Sequence, residues 1–431
     1  MRRIFQLSAL YLLIFMMGSC RSSTEKYDVQ NISGLGLEET APFLTTDHLG
    51  NAVLAWTSKD PADSLNRLMY AIYDSDTDKF SEPVVISVSA GTKSSSESMN
   101  KVAFKSDGTV MAVFARRFNN EKNPFAGAIC YSMSRDKGLN WSPAQYLHSD
   151  TAHAYGRGYF DVSTLKNGEV GAIWLDGRYK KTLKGSAIFY SATQKGAGFK
   201  RDTCVNKNTC ECCRTDLLTD MQGNIHLAYR SILFPETLTN KQVRDIVYTG
   251  SNDNGKTFTS EKVISKDNWS IDGCPHTGPS LAVAKNGLNA VWYTAGGTPG
   301  LYYSRTSVNG TDFNERKLLT TSGRHPQMIV LPDGKLAVIY EEASDDSHKH
   351  TEKANEKHSP SGMDHHEEAT GTKIILRVIN GEKAERTLTI TEGKYSDHHA
   401  VLVPVKDGLL AAWVREKEGR PGICFTRIKA L

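Results

Sequence analysis

"SRDKGLNW", residues 134–141, and "SNDNGKTF", residues 251–258, share the pattern S-x-D-x-G-x-x-[W/F]. Each reads as a tight turn. Asp136 and Asp253 can accept hydrogen bonds from turn amides, the glycine permits the reversal, and the aromatic ring tucks beneath a sheet. "ATQKGAGF" (192–199) and "TSVNGTDF" (306–313) are worn copies. Such turns are folding elements rather than catalysts, and their recurrence points to a repeat.

The repeat is visible along the chain. A short apolar run ending in an aromatic recurs as "NAVLAW" (Trp56), "VMAVF" (Phe114), "VGAIW" (Trp174), "IHLAY" (Tyr229), "LNAVW" (Trp292), "LAVIY" (Tyr340) and "LLAAW" (Trp413). Most of these follow "SDG", "KNG", "MQGN", "PDG" or "KDG", turns whose Gly and Asn tolerate positive φ, so each unit opens with a β-hairpin. Third strands follow ("AGAICYSMS", "SAIFYSAT", "RDIVYTGS"), then fourth ones ("AQYLH", "EKVIS", "RKLLT").

The aromatic recurs every 48 to 73 residues, the extremes being 292 to 340 and 340 to 413. Four antiparallel strands per repeat predict an all-β fold, a β-propeller of four-stranded blades. A β-sandwich would need no such period. Seven repeats give seven blades, with six plus an accessory sheet as the alternative. The last repeat, from about Asp397, supplies three strands, so an N-terminal strand near "YDVQNIS" is expected to complete it and hide the open edge.

The 52 basic and 48 acidic residues leave a net charge of only +4, with no basic block after the leader. A nucleic-acid partner is therefore not expected. "MRRIFQLSALYLLIFMMGSC" has two arginines, a short apolar run and small residues before Cys20, the form of a secretory signal. Met17-Gly18-Ser19-Cys20 resembles a bacterial lipobox. The expected organisation is a signal peptide over 1–19, a lipidated tether over 20–26 starting at Cys20, and a propeller over 27–431. The protein would be exported and held on a bacterial membrane, periplasmic or at the cell surface, by its lipid alone. Segment 343–372 interrupts the sixth repeat as a polar loop with five histidines, among them His365 and His366, candidate ligands for copper, nickel or zinc, with a solvated loop as the alternative.

Propeller topology sorts the side chains. Segments entering the innermost strand and segments leaving the second strand share one face, and the S-x-D-x-G turns lie on the other. The first face collects Arg116, Arg117, Arg157, Arg178, Arg214, Arg230, Arg324 and Arg415. Converging guanidiniums bind carboxylate, sulfate or phosphate in bidentate fashion. Arg178, Arg214, Arg230 and Arg324, with Asp216, are the candidate substrate-binding residues. The alternative is that the arginines pair with Asp161, Asp176, Asp216, Glu341 and Glu342 to hold loops.

The repeated turns resemble the Asp-box, or BNR, repeats of sialidase-like propellers over essentially the whole mature chain. That resemblance implies a glycoside hydrolase with three arginines on the substrate carboxylate, a tyrosine nucleophile and an aspartate acid/base. Tyr293 and Tyr395, with Tyr159 on the same face, are the candidate tyrosines, and Asp161 and Asp176 the candidate acids. The family's early Arg-Ile-Pro motif is absent here.

"CECCRTD" (210–216) and "GCPHTGPS" (273–280) further resemble a subset of exported bacterial BNR-repeat proteins. This second resemblance implies a disulfide from Cys212 or Cys213 to Cys274, and a small loop closed by Cys204 and Cys210. A metal is the rival reading for these sulfurs, copper or zinc held with His276, His325, His398 or His399. The function expected is binding, and hydrolysis, of an anionic glycan without a required cofactor. The alternatives are a metal-handling propeller and a non-enzymatic scaffold.

Overall fold

A strand packed between two neighbouring sheets is apolar on both faces. The recurring runs behave in this way. Trp56, Phe114, Trp174, Tyr229, Trp292, Tyr340 and Trp413 are all fully buried, on strands Ala52–Lys59, Val110–Arg117, Val170–Asp176, Ile225–Arg230, Gly287–Thr294, Leu336–Ala343 and Gly408–Lys417. The structure is a computed structural model that describes residues 27–32, 38–182, 184–234, 241–271, 273–306, 312–344, 371–381 and 383–429.

Five sheets of four or five antiparallel strands stand alone, built in chain order from residues 39–85, 101–146, 157–209, 216–263 and 280–320. The remaining eight strands form one further sheet. Its two halves are joined by a single parallel pair, Thr372 with Ser396. The expectation of seven, or six, separate blades is therefore corrected. Five blade sheets are separate, because the third strand of the sixth repeat bonds directly to the first strand of the seventh. Gln30–Asn31 pairs with Arg420–Lys429, so an N-terminal strand completes the last repeat.

Each unit packs on the next through one hydrophobic cluster. The first joins Val53 and Tyr70 to Val102 and Phe114. The last joins Leu410 and Phe425 back to Leu54 and Trp56, which closes the circle of a β-propeller arrangement.

The turns that opened the argument form as their chemistry requires. Ser134 Oγ donates to Asp136 at 2.8 Å, and Asp136 accepts the Asn140 amide at 2.9 Å. Ser251, Asp253 and Thr257 repeat the pattern. Phe258 packs edge-on against Tyr190 at 5.3 Å.

The strand ends Ala343 and Thr372 pair with each other, so the chain leaves and re-enters this sheet at adjacent positions. The body of that insertion, with His365 and His366, lies outside the described residues, as do the leader and Cys20. Among the described residues no helix is long and apolar enough to cross a membrane.

Candidate functional site

The innermost strands are irregular at one recurring place. Register shifts interrupt Glu39–Thr46, Arg157–Thr164, Gly323–Val330 and Ser396–Val405. Inside these bulges Ala41, Tyr159, His325 and His399 take left-handed φ of 56°, 52°, 47° and 55°. His276, just ahead of Ser280–Ala284, has φ 48°. Non-glycine residues held in this way cost roughly 1–3 kcal/mol each and gather at functional sites. A bulge turns the chain and re-aims its side chain.

Of these residues, His325 and His399 meet around Glu97. Glu97 is 7 % exposed, and neither of its buried carboxylate oxygens accepts a hydrogen bond. Arg214 Nη2 lies 3.5 Å from Glu97 Oε1, and His325 Nε2 and His399 Nε2 each lie 3.6 Å from it. Arg214 Nε and Nη2 are buried without hydrogen-bond partners. His325 Nδ1 sits 2.6 Å from Glu341 Oε1, and the His399 amide donates to Glu341 Oε2 at 2.5 Å. The two imidazoles stack at 4.3 Å.

Burial alone would lower His325, but Glu341 and Glu97 outweigh it and raise its pKa. Burial and the neighbouring His325 charge hold His399 well below its ordinary value. Burial works against the Glu341 carboxylate, yet His325 and His399 keep it well below the usual range.

Tyr159 is fixed beside this group from both sides. Its amide donates to Ser98 Oγ at 2.8 Å, and its carbonyl accepts Thr215 Oγ1 at 2.8 Å. Its neighbours in sequence contact are thus those of Glu97 and Arg214. Burial, then the nearby Cys213 and Glu97, push the phenol up to about 12. The phenol is a proton carrier at neutral pH.

The cysteines frame one side. Cys212 and Cys274 form a disulfide across 62 residues. Two residues beyond each lie Arg214 and His276. Gly278 packs so closely that a Cβ there would be 2.1 Å from the Arg214 carbonyl, so only glycine fits. Cys204, Cys210 and Cys213 are free thiols, which corrects the expected Cys204–Cys210 bridge. Cys204 Sγ faces the Asn206 carbonyl at 3.6 Å instead.

Cys210 lies 3.5 Å from Cys213 and takes a hydrogen bond from Arg244 Nη1 at 3.1 Å. The Cys213 hydrogen bond first, then Arg244, bring Cys210 down to about 6 against its burial, while Cys213 is raised. A single proton shared by the pair at neutral pH is the expected outcome. At neutral pH the protein is expected to show thiolate ultraviolet absorbance that fades as pH falls through about 6 and is missing in Cys210→Ser. Equal absorbance in the variant would place the ionised sulfur elsewhere.

Several predicted site residues have structural work instead. Asp161, a candidate acid, is buried against Lys101 Nζ at 2.7 Å and accepts the Leu217 amide at 2.8 Å. Asp216 accepts the Leu281 amide at 2.7 Å in the same way, so both tie one inner strand to the next. Burial and the Asp161 charge raise Asp216 to about 7. Asp176 has no exposed surface and binds Trp174, Arg157 and Arg178. Arg178 is held between Asp176 and Asp202 at 2.7 and 2.9 Å. Arg230 donates to the Arg244, Thr277 and Tyr293 carbonyls and stacks on Trp269. Trp413–Asp397–Arg415 repeats the Trp–Asp–Arg arrangement.

Arg324 is exposed, stacked over buried Tyr293 at 4.6 Å. Tyr395 lies under Arg415 at 4.7 Å, and His398 bonds His399 and Glu416. Glu97 was not among the expected residues. Two signals could have found it. Its segment precedes an inner strand, Lys101–Phe104, as the others do. Arg214, Tyr159, His276, His325 and His399 also fall 14 to 16 residues before their repeat's aromatic, and Glu97 lies one residue outside that window. A depression of about 810 Å³ lined by Gly50, Tyr73, Phe80 and Lys406 contains none of these residues.

Together these features define an all-β propeller whose inner-strand ends carry a polar site rich in imidazole and guanidinium. Residues 66–338 match the BNR repeat-like domain, and the chain belongs to that family. Among solved structures it is similar to an ulvan lyase of a polysaccharide lyase family, at 12 % identity over 93 % of this chain and 96 % of that one, TM-score 0.56. It is similar to the polysaccharide lyase Uly1 at 11 % identity over 96 % and 94 %, TM-score 0.52. The NanB sialidase of Streptococcus pneumoniae aligns at 11 % identity over 94 % and 70 %, TM-score 0.46. No curated protein sequence matches.

Proposed function

We propose that this is an exported, lipid-anchored propeller that binds an acidic polysaccharide at the Glu97–Arg214–Tyr159 site and cleaves it beside the acidic sugar. The observation that carries this reading is the juxtaposition of a buried guanidinium with unused donors, Arg214, and a protonated phenol, Tyr159, at adjoining inner-strand ends. A guanidinium pairs with a carboxylate or sulfate. A positioned phenol donates a proton to a departing sugar oxygen. Arg324 and His276, both exposed on the same end, supply a second cation and a proton acceptor.

The solved ulvan lyase with this fold is bound to -[GlcA(1-4)Rha3S]-, a uronate-bearing chain, which supports an acidic glycan as the ligand class. Of the candidate tyrosines, Tyr159 is the one beside a glutamate, Glu97, and in this reading it is the proton donor rather than a nucleophile. Tyr293 is buried under Arg324, and Tyr395 contacts Arg415.

The test incubates the leaderless chain with sialylated, uronate-bearing and sulfated polysaccharides and follows two products. Unsaturated uronate ends report elimination, and new reducing ends without them report hydrolysis. Neither product nor binding across the panel would remove the reading. Arg214→Ala is expected to raise KM on the cleaved glycan by roughly 10- to 100-fold, the loss of one charge-assisted contact. An unchanged KM would take Arg214 out of the binding site.

A further inference from the structure

We propose that Glu97, His325 and His399 form a zinc site, independently of which glycan the protein takes. Hydrogen-bond direction leads to this. Glu341 can only accept, so His325 carries a proton on Nδ1, and in the neutral ring the Nε2 lone pair faces Glu97, where a metal takes the place of a second proton. Glu416 likewise accepts from His398 Nε2 at 3.3 Å, which makes His398 Nδ1 an acceptor. His399 Nδ1 must then donate to it across 2.7 Å, and His399 Nε2 is left as a second lone pair aimed at Glu97. Three acceptors, two imine nitrogens and a carboxylate oxygen, thus face one another inside the protein. Glu97, more than nine-tenths buried, has no hydrogen bond on either oxygen. With both Nε2 atoms deprotonated, such a constellation favours a cation at its centre.

The dimensions suit zinc. Zinc bonds of 2.0–2.2 Å to nitrogen and oxygen give tetrahedral ligand–ligand edges of roughly 3.3–3.5 Å. Two edges here, Glu97 Oε1 to each Nε2, measure 3.6 Å. All three ligand atoms lie within 4.8 Å of one another. Two imidazoles and one carboxylate with an open fourth position is the ligand set of catalytic zinc sites.

The surroundings fit a metal as well. Glu341 binds His325 through Nδ1 and the His399 backbone through its other oxygen, the carboxylate–histidine–metal support that orients ligands. The left-handed φ of His325 and His399 is the backbone cost of aiming both rings inward. Arg214, 3.5 Å from the same Glu97 oxygen, is a competing cation. Its removal is therefore expected to strengthen metal binding. The Cys210, Cys212 and Cys274 sulfurs are also close together, but two of them are spent in the disulfide.

The experiment uses the full mature chain, produced without a polyhistidine tag and stripped with chelator. Zinc titration by calorimetry and the visible spectrum of the cobalt(II) form are measured for wild type, Glu97→Gln, Glu341→Gln, Arg214→Ala and His365→Ala/His366→Ala. Expected is one equivalent with a tetrahedral cobalt spectrum in wild type. Glu97→Gln loses it, Glu341→Gln weakens it 10- to 100-fold, and Arg214→Ala tightens it. The double histidine variant keeps it, which separates this site from the insertion. Zinc should raise the thermal midpoint of wild type but not of Glu97→Gln. Should Glu97→Gln not fold, Glu341→Gln gives the same reading. No binding by wild type would overturn the proposal, as would binding left unchanged by Glu97→Gln or Glu341→Gln.

Discussion

Tyr159→Phe is expected to lower kcat on the cleaved glycan by roughly 10²- to 10⁴-fold, the usual worth of a positioned acid, with KM nearly unchanged. The change removes one oxygen and little else. The backbone of Tyr159 is held by Ser98 and Thr215 rather than by its phenol, and its ring packs against the Cys210, Cys212 and Cys213 side chains. Phenylalanine fills the same space, so folding should be indifferent to the swap. A loss confined to kcat therefore reads proton transfer in the transition state, not misfolding or weakened binding. The missing proton donor also makes a sharper prediction. A glycan or aryl glycoside whose leaving group needs no protonation should be cleaved almost equally by both proteins. A Tyr159→Phe protein with full kcat on the ordinary substrate would assign the phenol a packing role, and the acid would have to be sought among His276 and the imidazoles around Glu97.

How far this site was legible in the sequence depends on what each residue needed. The fold follows from local chemistry that the letters carry directly. A Ser-x-Asp-x-Gly turn and an apolar run ending in an aromatic mean the same thing wherever they occur, and both form as read. The number of separate sheets was not legible, because a single hydrogen-bonded residue pair, Thr372 with Ser396, merges two repeats. The arginines were half legible. Their face could be deduced from topology, but Arg178 and Arg230 are consumed by Asp176, Asp202 and three carbonyls, which only the fold reveals. The choice between site and structural roles for Asp161 and Asp216 was not legible for the same reason. A carboxylate entering an inner strand can point into the site or cap the next strand's amide, and these two cap. His325 and His399 were found through their residue type. Glu97 was missed because "SSSES" reads as featureless loop, although its distance from the repeat's aromatic was on the page.

Replacing both Cys212 and Cys274 by serine is expected to cost about 4 kcal/mol of unfolding free energy, from the chain entropy that a bridge across 62 residues removes from the unfolded state. The double variant is the cleaner probe. Cys210 Sγ lies within 4.8 Å of both bridged sulfurs, so a single serine would leave a thiol free to pair with it. Urea midpoints of wild type and double variant, read with the same slope, give the difference. The bridge should also matter for function below the unfolding temperature. It joins the segments that enter two successive inner strands, two residues from Arg214 on one side and two from His276 on the other. Loosening it lets these groups move apart, because the packing of Gly278 on the Arg214 backbone and the Asp216–Leu281 hydrogen bond then hold those segments without a covalent link. The double variant should accordingly show a higher KM as well as a lower midpoint, whereas a variant that weakens only a distant hydrophobic cluster, such as Leu410→Ala between the last strands and the first unit, should lower the midpoint alone. A double variant of wild-type stability and KM would mean that packing by itself fixes the segments, and that the disulfide is not the frame of the site.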